Sequence, residues 1–138
     1  MQKEEEIRQK LKPILDHHPY ITIEFDQEGF RAVMDNFRPN LLGNFAGGDM
    51  AYIANAAAGL LCVVENRLAE TASINIECLE RADGNQLLAR AQIVKLGKRL
   101  IRLRVDVNVR KQQQEKLVAI AQINMSPINN LDIERLIA

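Results

Sequence analysis

Residues 38–67 carry the groups best placed to do chemistry. Residues 38–48 contain three glycines, a proline and two asparagines, which favour turns and let backbone approach a neighbour closely. Asp49 follows where a helix would start. Its carboxylate can accept from the free amides of a first turn and complements the positive end of the helix dipole. From Met50 to Val64 the side chains are Met, Ala, Tyr, Ile, Leu, Cys and Val, interrupted by Gly59 and by one polar amide, Asn55. Such a helix has no solvated face, so it is expected to be buried, and Asn55 then needs a hydrogen-bond partner inside. It falls short of the roughly 20 apolar residues of a membrane span.

Other chemistries fit poorly. The two serines, Ser73 and Ser126, lie far from His17 and His18 with no Gly-x-Ser-x-Gly, which argues against a Ser-His-acid triad. The glycine stretch lacks the Lys-Ser/Thr ending of a phosphate-binding loop. His17 and His18 are sequence neighbours and do not share a helix face, so they make a poor metal pair. Cys62 and Cys78 have no metal-ligand spacing to a histidine and read as small core hydrophobes of a reducing compartment. No metal or cofactor is expected. The formal charge is zero, with no basic stripe among aromatics, so nucleic acid is not an expected partner. Met1 to Glu6 carry glutamates where a signal peptide needs basic and then apolar residues, which points to a cytoplasmic protein without membrane attachment.

The elements that must position the 38–67 stretch follow from periodicity. Ile7, Leu11, Ile14 and Leu15 fall at helical spacing, predicting an amphipathic helix within residues 1–19 that Pro13 kinks. Ile21, Ile23 and Phe25, then Phe30, Ala32 and Met34, alternate about an Asp26–Gly29 turn and predict a hairpin. Beyond the buried helix the period is two. Ala72, Ile74, Ile76 and Cys78 share one face, and Thr71, Ser73, Asn75 and Glu77 the other. Leu87 to Ile93, Ile101 to Val109 and Leu117 to Met125 repeat the pattern, the sign of an antiparallel sheet covered on one side. At 138 residues the chain predicts one domain, an α+β fold in which a long curved antiparallel sheet of about six strands wraps one Ala-rich helix. Residues 20–127 form this core and 128–138 a tail. The exposed sheet edges predict at least a homodimer.

This order of elements, with its glycine-rich approach to the helix, resembles the hotdog fold and, within it, the PaaI-like acyl-CoA thioesterases. The family pattern is Asn, two residues, Gly, two residues, His-Gly-Gly, six residues and an acid. Asn40, Gly43, Gly47 and Gly48 fall in register. Ala46 stands at the His position and Asn55 at the catalytic acid. Ser73 matches by spacing the Ser or Thr often found in the strand after the helix, although alternation sets it opposite Ala72 and Ile74, so a bulge or a partner subunit must bring it into play.

The resemblance implies a site in which a thioester carbonyl meets the amides of Gly47 or Gly48 and the helix dipole, an arrangement able to stabilise an oxyanion. Asn40, Gly43 and Ala46 would line it, and Lys98 and Arg99, with Lys95, would receive CoA phosphates from the turn around Gly97. CoA enters only as part of the substrate. Asn55 cannot accept a proton as a carboxylate does. An active thioesterase therefore needs another acid, with Asp49, Glu65 and Asp35 nearest in sequence. The alternative is a non-catalytic acyl-CoA-binding protein, a sensor or scaffold, and a third possibility is a pocket closed by Tyr52 and Phe45. A homodimer, or a dimer of dimers, is the expected assembly.

Overall fold

The computed structural model describes residues 4–36 and 44–128. Asn40, Gly43 and the tail beyond Ile128 lie outside the described residues. The elements are α1 (Glu4–Leu15), β1 (Thr22–Asp26), β2 (Gly29–Asp35), α2 (Gly47–Val64), β3 (Ala69–Cys78), β4 (Gln86–Leu96), β5 (Ile101–Lys111) and β6 (Gln114–Pro127). The strands form one antiparallel six-stranded sheet in the order β1-β2-β4-β5-β6-β3. This is the α+β architecture the periodicity predicts.

Alternation on β5 shows why the sheet closes on α2. Ile101, Leu103, Val105, Val107 and Val109 are buried, while Arg102 and Arg104 between them are exposed. The buried row meets Ile53, Ala54, Ala57 and Ala58 of α2 in one core. Small alanines let the helix axis approach the sheet; the larger β-branched residues of the strands fill the space between. Truncating Leu103 to Ala would cost about 2–5 kcal/mol through lost burial and the cavity left behind.

Three expectations need correcting. First, α2 begins at Gly47, so both glycines are its first helical residues and Asp49 lies within the first turn. Secondly, α2 is not covered on all sides by its own chain: Gly48 and Tyr52 are exposed and Asn55, Ala56, Gly59 and Val63 only partly buried. At 18 residues it is in fact long and apolar enough to cross a membrane by length and composition, with half of it buried here. Thirdly, β3 is an edge strand whose alternation does not sort inside from outside. All its residues but Ala69 and Ile76 are exposed, Ile74 at 40% among them. Cys78 is therefore exposed and not a core residue, whereas burial of Cys62 pushes its thiol up to about 11.

Candidate functional site at the start of the central helix

The chain enters α2 through a fixed joint. Phe45 is buried, and its amide donates to the Ala82 carbonyl at 3.0 Å. Ala46 is the N-cap in extended backbone, and Asp49 Oδ2 accepts the Ala46 amide at 3.0 Å. The carboxylate thus reaches back to the residue that precedes the helix, a different use from the capping of first-turn amides that the sequence suggests. Asp49 is 3% exposed and engaged in this contact, which ill suits it to activate a water.

Gly47 and Gly48 are exposed. A Cβ on Gly47 would lie 3.8 Å from Cys78 Sγ, an ordinary contact, and one on Gly48 would meet nothing within 4 Å. Neither glycine has a positive φ. Close helix–sheet packing and backbone strain therefore do not explain why residue 48 is glycine. Asp49 and Met50 donate to the Ala46 carbonyl at 3.0 and 3.2 Å, which leaves the amides of Gly47 and Gly48 as the ones a helix start provides without an intrahelical acceptor, and the side-chain position beside them at Gly48 is open.

Asn55 is two helical turns further on. Thr71 Oγ1 donates to Asn55 Oδ1 at 2.5 Å, so the partner is a strand hydroxyl. With the oxygen accepting, Asn55 Nδ2 keeps two N–H donors, and it has no protein acceptor among the described residues. Position 55 thus offers donors where a general base needs lone pairs.

Ser73 is not the hydroxyl that reaches the helix. A register shift between Thr71 and Ser73 separates them, and Ser73 Oγ accepts from Asn124 Nδ2 at 2.9 Å on β6. Thr71 is the β3 hydroxyl that meets α2. The sequence held one sign of this, a second hydroxyl residue two positions earlier, but the irregularity that aims it is set by pairing with β6.

The remaining candidates are dispersed. Lys98 and Arg99 are exposed in the β4–β5 turn, and Arg67 Nη2 donates to the Gly97 carbonyl of that turn at 2.8 Å. This holds the turn near the C-terminal end of α2, whose 18 residues rise about 27 Å from Gly47. One chain therefore does not bring Lys95, Lys98 and Arg99 to Gly48. Glu65 is the C-cap, at that same far end. Asp35 is exposed and accepts from Gln86 Nε2 at 2.9 Å. None of the three acids named from sequence stands free beside Gly48 and Asn55. Among the described residues no group of three or more His, Cys, Asp or Glu side chains is arranged to hold a metal ion.

Tyr52 and Phe45 do not close the space beside the helix, since Phe45 is in the core and Tyr52 is 40% exposed. A cleft of about 300 Å³ lies between the end of α1, α2 and the start of β3. Its walls include Ala56, Gly59, Val63 and Ala69, with His17 and His18 also lining it. The histidines had no role in the sequence reading, because nothing local in sequence tells that α1 ends against α2.

No protein-family model matches the sequence, and no curated protein matches it. Solved structures do. A thioesterase family protein from Silicibacter pomeroyi is similar at a TM-score of 0.77 and 18% identity, over 88% of this chain and 98% of that one. The E. coli PaaI protein from the phenylacetic acid degradation operon is similar at a TM-score of 0.76 and 18% identity, over 93% and 97%. A Bacillus halodurans protein solved with CoA is similar at a TM-score of 0.69 and 22% identity, over 94% and 97%. The fold is thus the hotdog fold, shared with these structures.

Proposed function

We propose that this chain is a thioesterase-type protein that binds an acyl-CoA or closely related thioester, with the carbonyl oxygen before the Gly47 and Gly48 amides. The open space at Gly48 carries the reading: a glycine that nothing in its own chain requires leaves room for a ligand at the positive end of a long helix. First-turn amides there stabilise the negative charge that develops on a thioester oxygen under attack. The names of the similar structures, and CoA in one of them, support the same ligand class.

Hydrolysis adds water across the C–S bond, and the attacking water must lose a proton. Asn55 cannot take it, and Asp49 is committed to the Ala46 amide. Oxyanion stabilisation and positioning remain, so turnover is slow, by on the order of 100 to 10,000-fold relative to a site with a base. A second reading is that the site holds the thioester without cleaving it. The donors of Asn55 favour that reading, since they can bind an oxygen but not activate water.

The site is completed by a second copy. β3 has one free edge along its exposed length, and antiparallel pairing of that edge with itself is a two-fold contact. Such pairing sets the Thr71 end of one strand against the Cys78 end of the other. Cys78 neighbours Gly47, so the partner's helix start approaches the Asn55–Thr71 pair.

Release of free thiol from a panel of acyl-CoAs tests the reading. The unmodified chain should turn over slowly or not at all, Asn55→Asp should be faster by about 100-fold or more, and Gly48→Val added to Asn55→Asp should abolish the gain. An Asn55→Asp chain that binds no acyl-CoA, or whose activity ignores Gly48→Val, would overturn it.

A further inference from the structure

We infer that the cleft between α1, α2 and β3 is the acyl-chain site, and that it selects straight, medium-length alkyl chains of roughly eight carbons. The inference rests on the thioester-binding reading and adds where the chain goes and what ends it.

The Asn55–Thr71 pair adjoins residues that line the cleft: Asn55 precedes Ala56 on α2, and Thr71 follows Ala69 by two residues on β3. Asn55 and Gly59 are four apart on one helix face, and Thr71 and Ala69 two apart on one strand face, so the polar pair continues directly into apolar wall. The cleft then follows α2 to Val63. Just past it, Lys10 Nζ donates to the Val64 carbonyl at 3.0 Å and ties α1 to the last turn of α2. From Asn55 to Val63 the helix rises about 12 Å, and that length with a volume of about 300 Å³ suits an alkyl chain of about eight carbons. Apart from His17 and His18 the lining side chains of the cleft are aliphatic, which suits an unsubstituted alkyl chain. A carbonyl at Gly48 of the same chain lies 11 residues before Gly59, about 16 Å along the axis. The chain in this cleft therefore belongs to a thioester held by the partner's helix start.

Gly59 is the natural point to block. A Cβ there meets only Met125 Cε at 3.9 Å, so the helix accepts a side chain. Dissociation constants of CoA and of acetyl-, butyryl-, hexanoyl-, octanoyl- and dodecanoyl-CoA would be measured by calorimetry for the unmodified protein, Gly59→Leu and Ala56→Leu, with fold checked by circular dichroism and melting. In the unmodified protein, affinity should rise about threefold to fourfold per methylene and level off near eight carbons. In Gly59→Leu the rise should stop about four carbons earlier. Ala56→Leu, nearer the polar pair, should remove almost all length dependence and serves as the independent variant. Acyl-CoAs that bind both variants with the unmodified length dependence would place the chain elsewhere and overturn the inference while leaving the thioester site intact. Failure of CoA and every acyl-CoA to bind the unmodified protein would overturn the site itself.

Discussion

The outer face of the sheet and the start of α2 treat polar groups in opposite ways. On the outer face, Arg31 pairs with Glu24 at 2.6 Å and with Glu115 at 2.5 Å, and Arg110 joins the same two carboxylates at 2.8 and 3.1 Å. Arg90 pairs with Asp26 beside them. Charge answers charge across β1, β2, β4, β5 and β6, all within one chain. At the start of α2 the pattern reverses: the side-chain position at Gly48 is open, Asn55 keeps its donors, and β3 offers a free edge. A surface whose charges pair within the chain stabilises the fold, whereas open donors beside a helix dipole are suited to a ligand and a second subunit.

Substitutions on the two sides should therefore fail differently. The largest effect is expected from Gly48→Val, which should weaken acyl-CoA binding by about 100-fold or more by putting a branched side chain into the open space beside the amides, with the melting temperature kept. Binding assays beside thermal melts check this, and a large drop in stability would show that Gly48 serves packing after all. Ile74→Lys puts a charge on the exposed edge of β3 and should convert a dimer to monomer. Sedimentation velocity reads the change, and an unaltered mass would remove β3 from the assembly.

On the satisfied side, Arg31→Met should cost about 2 kcal/mol of unfolding free energy, since the guanidinium is 12% exposed and leaves two carboxylates short of a partner. Thioester binding should be unchanged. Acid should act on the same face. Hydrogen bonding from Arg31 holds Glu115 at about 2, and Arg110 first and then Arg31 lower Glu24. A carboxylate depressed in the folded state stabilises fully above its unfolded value and loses that stability as pH falls towards the folded value. The window is therefore from about pH 4.5 down to about 2. Discounted for partial exposure, the Glu115 contribution is about 1–2 kcal/mol, and Glu115→Gln should flatten the denaturation profile across that window. The smallest effect is Gly48→Ala, which should raise stability by about 0.5–1 kcal/mol through helix propensity and a less flexible unfolded chain. A gain in stability with a loss of binding would mark the glycine as kept for the ligand.

The fold was legible because its signals are local and repeated. Alternation on β5 and the alanines of α2 each name a burial partner, and together they leave few arrangements. The site was legible only where it is also local, in Gly47, Gly48 and Asn55. What was missed depends on contacts across the sheet. Thr71 meets Asn55 on α2 beside an irregularity in pairing with β6, Cys78 is exposed because β3 is an edge, and His17 meets the cleft because α1 folds back on α2. The outer ion pairs likewise join residues far apart in sequence. Asp49 shows the limit of a local rule: a carboxylate at a helix start was foreseen, but accepting from Ala46 depends on α2 starting at Gly47.

The central claim, that the carbonyl sits before the Gly47 and Gly48 amides, is tested most directly by ¹⁵N-edited spectra during titration with an acyl-CoA analogue whose sulfur is replaced by methylene, which keeps the carbonyl but cannot be hydrolysed. The account predicts large, saturable shifts of the Gly47 and Gly48 amide signals, with the guanidinium signals of Arg31 and Arg110 unmoved. Saturation of binding with the Gly47 and Gly48 amides unchanged would contradict it.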